Sequence, residues 1–181
     1  MPTIYSIGHS TRPIGEFIRL LEETGIDFVA DVRTVPKSRF NPQFNADALA
    51  EALAAHSIGY RRIPELGGLR GPRKDGRPSP NGFWENESFK NYADYAGTPP
   101  FWAGLRELRD LGRSQTCAIM CAEALWWQCH RRIIVDYLLA AGETVAHIMG
   151  DGKLEPARMT EAAVVGPDGV ITYPPAQASL F

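Results

Sequence analysis

Short apolar runs that stop on polar residues, separated by amphipathic helical stretches, constrain this chain more than any other feature. Thr3 to Ile7 is a short apolar, β-branched run that stops at Gly8-His9-Ser10. Apolar residues then recur at helical spacing (Ile14, Phe17, Ile18, Leu21), with Ser10 or Thr11 near the cap, Pro13 early and Gly25 placed as a C-cap glycine. Phe28-Val29-Ala30 is a second strand run and closes in Asp31-Val32-Arg33. A long loop, Thr34 to Asn45, leads to an Ala/Leu helix over Ala46 to His56, with Asn45 as N-cap. Gly59 to Ile63 reads as a third strand, Thr116 to Met120 as a fourth and Thr144 to Ile148 as a fifth. Between them lie helices at about Glu87 to Ala96 and Pro100 to Leu111, and a strong one from Trp126 to Ala141 ended by Gly142.

Strands alternating with helices predict βαβ units, hence an α/β fold with a mainly parallel sheet of about five strands flanked by helices. The pattern changes after Gly150. Val164-Val165 and Val170 to Tyr173 flank Gly166-Pro167-Asp168-Gly169, a hairpin signature, and Pro174 to Phe181 reads as a tail. A length of 181 residues suits one domain with a full core, predicted over 1–173, with 174–181 as the tail. No apolar run is long enough for a membrane span, and the N-terminus lacks a secretory pattern, so a cytoplasmic protein with no membrane partner is expected. The odd number of cysteines (Cys117, Cys121, Cys129) then favours reduced thiols over a disulfide framework.

A net charge of −2 excludes a general polyanion binder, so the distribution of charge matters more than its sum. Open parallel sheets bind ligands beyond the carboxyl ends of their strands. Here one strand ends at His9-Ser10, a second at Asp31 and Arg33, and the fourth at Cys121 and Glu123. Each has a plain structural alternative. His9 can cap a helix, Asp31 and Arg33 can form an ion pair, and Glu123 can complement a helix dipole. His130 shares a predicted helix face with Trp126 and Ile133, so it is either a hydrogen-bonded core residue, the base of a nucleophile–base set with Cys121 and Glu123, or part of a metal site.

Arginine suits bidentate recognition of phosphate or carboxylate, and Arg33, Arg39, Arg70 and Arg131 form the expected anion clamp. Ser10 and Ser38 join them as substrate-binding candidates. Gly67-Gly68 permits close approach of backbone amides to a ligand. The segment from Pro64 to Phe83 is long, rich in Gly and Pro and locally basic, which predicts a cover over the pocket mouth.

The ordered set Ile7-Gly8-His9-Ser10, Asp31-Val32-Arg33 with Pro36, Ser38, Arg39 and Pro42, Leu66-Gly67-Gly68 with Arg70, Met120-Cys121-Ala122-Glu123 and Cys129-His130-Arg131 resembles the domain-of-unknown-function 488 family over nearly the whole chain. The resemblance implies an active site built on these polar residues and carries over no reaction.

The expectation is an enzyme, a hydrolase or transferase, acting on an anionic, nucleotide- or nucleic-acid-derived substrate. His9, Asp31, Glu123, Cys121 and His130 are its catalytic candidates. No dinucleotide fingerprint or P-loop is present, and no cofactor or metal is required by the sequence. The alternatives are a metalloenzyme, or a non-catalytic nucleic-acid or repair module. For the module, the terminal Gln177-Ala178-Ser179-Leu180-Phe181 resembles the Gln-x-x-Leu-Phe peptide by which bacterial proteins bind the replicative sliding clamp, with Gln177, Leu180 and Phe181 as contact residues.

Overall fold

The computed structural model describes residues 4–176. A six-stranded sheet is assembled from β1 (Ile4–Gly8), β2 (Phe28–Asp31), β3 (Gly59–Arg62), β4 (Cys117–Cys121), β5 (Val145–Ile148) and β6 (Leu154–Pro156). Its order is β3-β2-β4-β1-β5-β6; the first five strands run parallel and β6 pairs antiparallel with β5. The sequence reading of about five strands misses β6, whose three residues are partly or fully exposed and give no apolar run. A separate hairpin, β7 (Val164–Val165) with β8 (Ile171–Thr172), stands where the sequence placed it.

Alternate residues of the central strands feed two cores, because successive side chains point to opposite faces. On one face Tyr5, Ile7, Val29, Ala118 and Met120 pack against α1 (Ile14–Thr24) and α2 (Ala46–Ala54). On the other, Ile4, Ala30, Val32, Ile119 and Cys121 pack against α3 (Glu87–Tyr95), α4 (Pro99–Ser114) and α5 (Arg131–Ala140). With both faces covered, the strands must be apolar throughout, and β1, β2, β4 and β5 are buried along their length.

This order fixes where a ligand can enter. The chain leaves β1 and β2 through helices on one face and leaves β4, which lies between them, through a helix on the other. Connections that part to opposite faces leave a crevice at the carboxyl ends of the strands. The crevice lies above β1, β4 and β2.

The predicted helix from Trp126 to Ala141 is shorter in fact. Trp126–Gln128 is a single 3₁₀ turn, Cys129 is extended (φ −130°, ψ 147°), and α5 begins only after His130. The helical periodicity of the segment is real, but the indole of Trp126 stacks on His147 (4.6 Å, 4°) and draws the first turn out of the helix. His130 therefore caps α5 instead of sharing a helical face with Trp126. Asn45 occupies the N-cap position as expected, yet its side chain accepts from the Ser38 amide (2.7 Å) and ties down the loop after β2.

Candidate active site at the ends of three strands

The three strand ends are joined beyond the sheet by backbone hydrogen bonds. His9 N–H donates to the Cys121 carbonyl (2.9 Å), Ser10 N–H to Ala122 (2.9 Å) and Val32 N–H to Met120 (3.0 Å). The segment after β4 therefore crosses directly over the end of β1. Gly8 makes this possible: a Cβ there would lie 1.7 Å from the Glu123 carbonyl oxygen, which is backbone and cannot swing away. The glycine in Ile7-Gly8-His9-Ser10 is a requirement of close approach.

Asp31, Arg33 and His9 form one buried chain. Arg33 Nε and Nη2 donate to the two oxygens of Asp31 (2.9 and 2.7 Å), a bidentate pairing that fixes the guanidinium plane. The Arg33 amide (3.0 Å) and the Tyr60 hydroxyl also donate to Asp31. The third guanidinium nitrogen, Arg33 Nη1, lies 3.4 Å from His9 Nε2. His9 Nδ1 lies 2.8 Å from the Ser10 carbonyl, which can only accept, so the ring proton sits on Nδ1 and Nε2 presents its lone pair to Arg33. Burial lowers the His9 pKa, and the Arg33 charge adds to that shift. The ring is neutral at pH 7 and stacks on Phe44 (4.3 Å).

Two contiguous chambers open above this chain. A polar one of about 460 Å³ is lined by His9, Ser10, Lys37, Ser38, Asn41 and Glu123, among others. A more apolar one of about 370 Å³ is lined by Val35, Leu69, Phe89, Cys121, Cys129 and His130, with Gly68 in its wall. Arg33, Val35, Ala122, Glu123 and Gln128 border both. Volumes of this size suit small organic ligands. Glu123 is exposed, and its carboxylate makes no hydrogen bond or ion pair among the described residues, so an unpaired carboxylate faces the junction.

The expected clamp is only partly assembled. Arg33 lines both chambers, whereas Arg39 is exposed and lines neither. Arg70 donates to the carbonyls of Gly67 (3.0 Å) and Pro64 (2.8 Å) and lies 3.8 Å over the Tyr95 ring, in a different concavity. The basic stretch that follows it borders that concavity as well, and of the Pro64 to Phe83 segment only Gly68 and Leu69 reach the apolar chamber.

Arg131 is 1% exposed and lies beneath the loop after β4. It donates to the Glu123 carbonyl (2.8 Å) and the Ser6 hydroxyl (3.4 Å), its Nε has no partner, and no carboxylate pairs with it among the described residues. It is a buried positive charge behind the loop, close enough to Cys129 to favour its thiolate. Gly67 and Gly68 do not present a cradle of amides: a Cβ on Gly68 would lie 2.4 Å from His130 Nδ1, so this glycine makes room for the imidazole.

His130 Nε2 lies 2.9 Å from the Val32 carbonyl and must carry a proton toward it, which leaves Nδ1 facing Cys129 Sγ at 3.5 Å. Cys129 also accepts from the Arg131 amide at the start of α5 (3.4 Å) and lies 2.6 Å from Cys121 Sγ. Burial opposes ionisation of both thiols. At Cys129 the contacts with Cys121, His130 and Arg131 outweigh it and hold the pKa well below the ordinary thiol value, while Cys121 is pushed well above it. Cys117 lies in the core at the start of β4, as a packing residue would.

Sequence reasoning missed Tyr60 and left Cys129 out of the catalytic candidates. Tyr60 lies opposite Val29, yet its hydroxyl reaches Asp31 from the neighbouring strand, a contact that only strand order creates. For Cys129 the adjacency to His130 was a usable signal. Among the described residues, no three His, Cys, Asp or Glu side chains are grouped so as to hold a metal ion, and no helix is long and apolar enough to cross a membrane. A family profile described as domain of unknown function DUF488 matches residues 13–138. No curated protein and no solved structure matches the chain.

Proposed function

The chain belongs to the DUF488 family, and from that premise, which names no reaction, we propose that it is a hydrolase or group-transfer enzyme acting on an anionic, nucleotide-derived substrate. One observation carries the reading: a clamped arginine and an unpaired carboxylate, Arg33 and Glu123, face the junction between a polar and an apolar chamber. The anionic end of the substrate lies in the polar chamber against Arg33, Ser10 and Lys37. A base or other flat apolar group lies in the other, between Leu69 and Phe89. The reacting bond then falls at the junction, where Glu123 takes the proton of an attacking water or hydroxyl.

Asp31 serves as the positioning residue for Arg33, and neutral His9 accepts from Arg33 without competing for the anion. The test is a panel of nucleoside monophosphates and short oligonucleotides, followed by binding and by turnover. Glu123→Gln is expected to bind as the wild type does and to lose turnover by about a hundredfold or more. Arg33→Lys loses the two-pronged pairing with Asp31 and is expected to weaken binding about tenfold or more. Binding without turnover in the wild type transfers the chain to the non-catalytic reading; no binding of any anion removes the proposal.

The sliding-clamp partner rests on the pattern of Gln177, Leu180 and Phe181, which lie outside the described residues. Its test is titration of a tail peptide against a bacterial sliding clamp. Equal binding by the peptide carrying Leu180→Ala and Phe181→Ala removes it.

A further inference from the structure

We propose that Cys121 and Cys129 are a redox-modification site for small hydroperoxides, in which Cys129 reacts first and Cys121 resolves the product to a disulfide. The two sulfurs lie 2.6 Å apart, about half an ångström beyond the length of a disulfide bond. Neither thiol is needed for the anion chemistry assigned to Arg33 and Glu123. Both line the apolar chamber, so a path from solvent exists, yet they are only 2% and 4% exposed. That combination selects the oxidant: a hydroperoxide reaches the chamber wall, whereas the disulfide of a protein partner does not.

The surroundings separate the roles of the two sulfurs. Cys129 has His130 Nδ1 at 3.5 Å and the first amide of α5 at 3.4 Å, two groups that stabilise a thiolate. Cys121 Sγ lies 3.7 Å from the Glu123 carbonyl, toward which it donates, and a carbonyl keeps a thiol protonated. His130 is held for its role by Val32, which fixes the Nε2 proton, and by Gly68, which leaves space for the ring.

The first step moves the Cys129 proton to His130 Nδ1. The thiolate then attacks the terminal peroxide oxygen, an S–O bond forms, the O–O bond breaks, and the alcohol or water leaves with that proton. Sulfur is oxidised by two electrons and the peroxide is reduced by two. In the second step Cys121 sulfur attacks the sulfenic sulfur, the S–S bond forms, and hydroxide leaves as water with the Cys121 proton. The bridge spans the segment that carries Glu123, so oxidation constrains that carboxylate.

The experiment treats the full chain with one equivalent of hydrogen peroxide under native conditions, then alkylates and maps the three cysteines by mass. A Cys121–Cys129 bridge that lowers the mass by two hydrogens, with Cys117 still alkylated, is expected. Cys121→Ser is expected to stop at a sulfenic acid on Cys129, trapped by dimedone. Cys129→Ser is expected to give no sulfenic acid at Cys121, and His130→Gln to slow the reaction about tenfold or more. Full alkylation of all three cysteines in the treated wild type overturns the proposal, as does a sulfenic acid on Cys121 ahead of Cys129. The readout is mass, so it stands or falls independently of any turnover at Glu123.

Discussion

His147 shows how one buried side chain sets the acid limit of the fold. Its Nδ1 lies 2.6 Å from the Ser6 hydroxyl, and Arg131, a donor only, points at the same oxygen. Ser6 accepts from Arg131, and its own proton can be donated to Nδ1 of the neutral ring. Burial, with the Arg131 charge second, lowers the His147 pKa to about 3. An unfolded chain takes up that proton near pH 6.5, while the folded one resists until about 3, so between those values the unfolded state binds more protons. Stability is then full above about pH 6.5 and falls as pH drops. Each such group contributes up to about 1.4 kcal/mol per pH unit. His9, shifted in the same direction, adds to the slope. Denaturant titrations between pH 5 and 6.5, above most carboxylate titrations, are expected to show a loss on the order of 2 kcal/mol from His147. His147→Gln is expected to flatten that slope, and an unchanged slope would refute the assignment. At this scale the sequence supplied the polar inventory: His9, Asp31, Arg33, Cys121, Glu123 and His130 do gather at one place. It could not supply partners. Arg131 and Arg70 looked like free anion ligands because residue type and spacing do not reveal that the Glu123 carbonyl, on the loop just before α5, and the Pro64 and Gly67 carbonyls, around a turn, occupy them.

Among elements, the loop after β4 is the part of the site most sensitive to backbone change, because it rests on the end of β1 without an intervening side chain. Gly8→Ala places a methyl carbon on the Glu123 carbonyl, and either β1 or the loop must move. A cost of about 3 kcal/mol or more is expected, well above the roughly 1 kcal/mol typical of point changes, together with loss of ligand binding through displaced Glu123. Ala tolerated at Gly8 with unaltered binding would show that the loop is not pinned there. By contrast Gly15, at an open position in α1, is expected to accept Ala with slight gain. Periodicity located α1, α2, α3 and α4 to within a few residues, because each buries a face at helical spacing. It overextended α5, where a ring stack between Trp126 and His147 overrides local preference.

Across the whole molecule, the C-terminal segment closes one core. Tyr173 is fully buried, its hydroxyl donates to Asp136 (2.8 Å), its amide donates to Asn81 (2.8 Å) and its carbonyl accepts from Phe83 (3.0 Å). The strand-like residues after the hairpin thus lash the long loop to α5. Asp136 also accepts from the Thr160 amide (2.8 Å), and burial raises its pKa. Tyr173→Phe leaves the buried carboxylate short of one donor and is expected to cost about 1–3 kcal/mol in thermal or denaturant unfolding. A neutral result would mean that water replaces the hydroxyl. From the sequence alone came the alternation of strands and helices, the parallel class that follows from it, and the polar residues that stop the strands. Each of these is written in local periodicity and in the residues that interrupt it. Only the tertiary structure decided that β4 inserts between β1 and β2, because strand order depends on which surfaces bury best together, over separations of a hundred residues. That insertion sets Glu123 over Gly8, brings Arg33 to His9, and leaves Cys129 against Cys121.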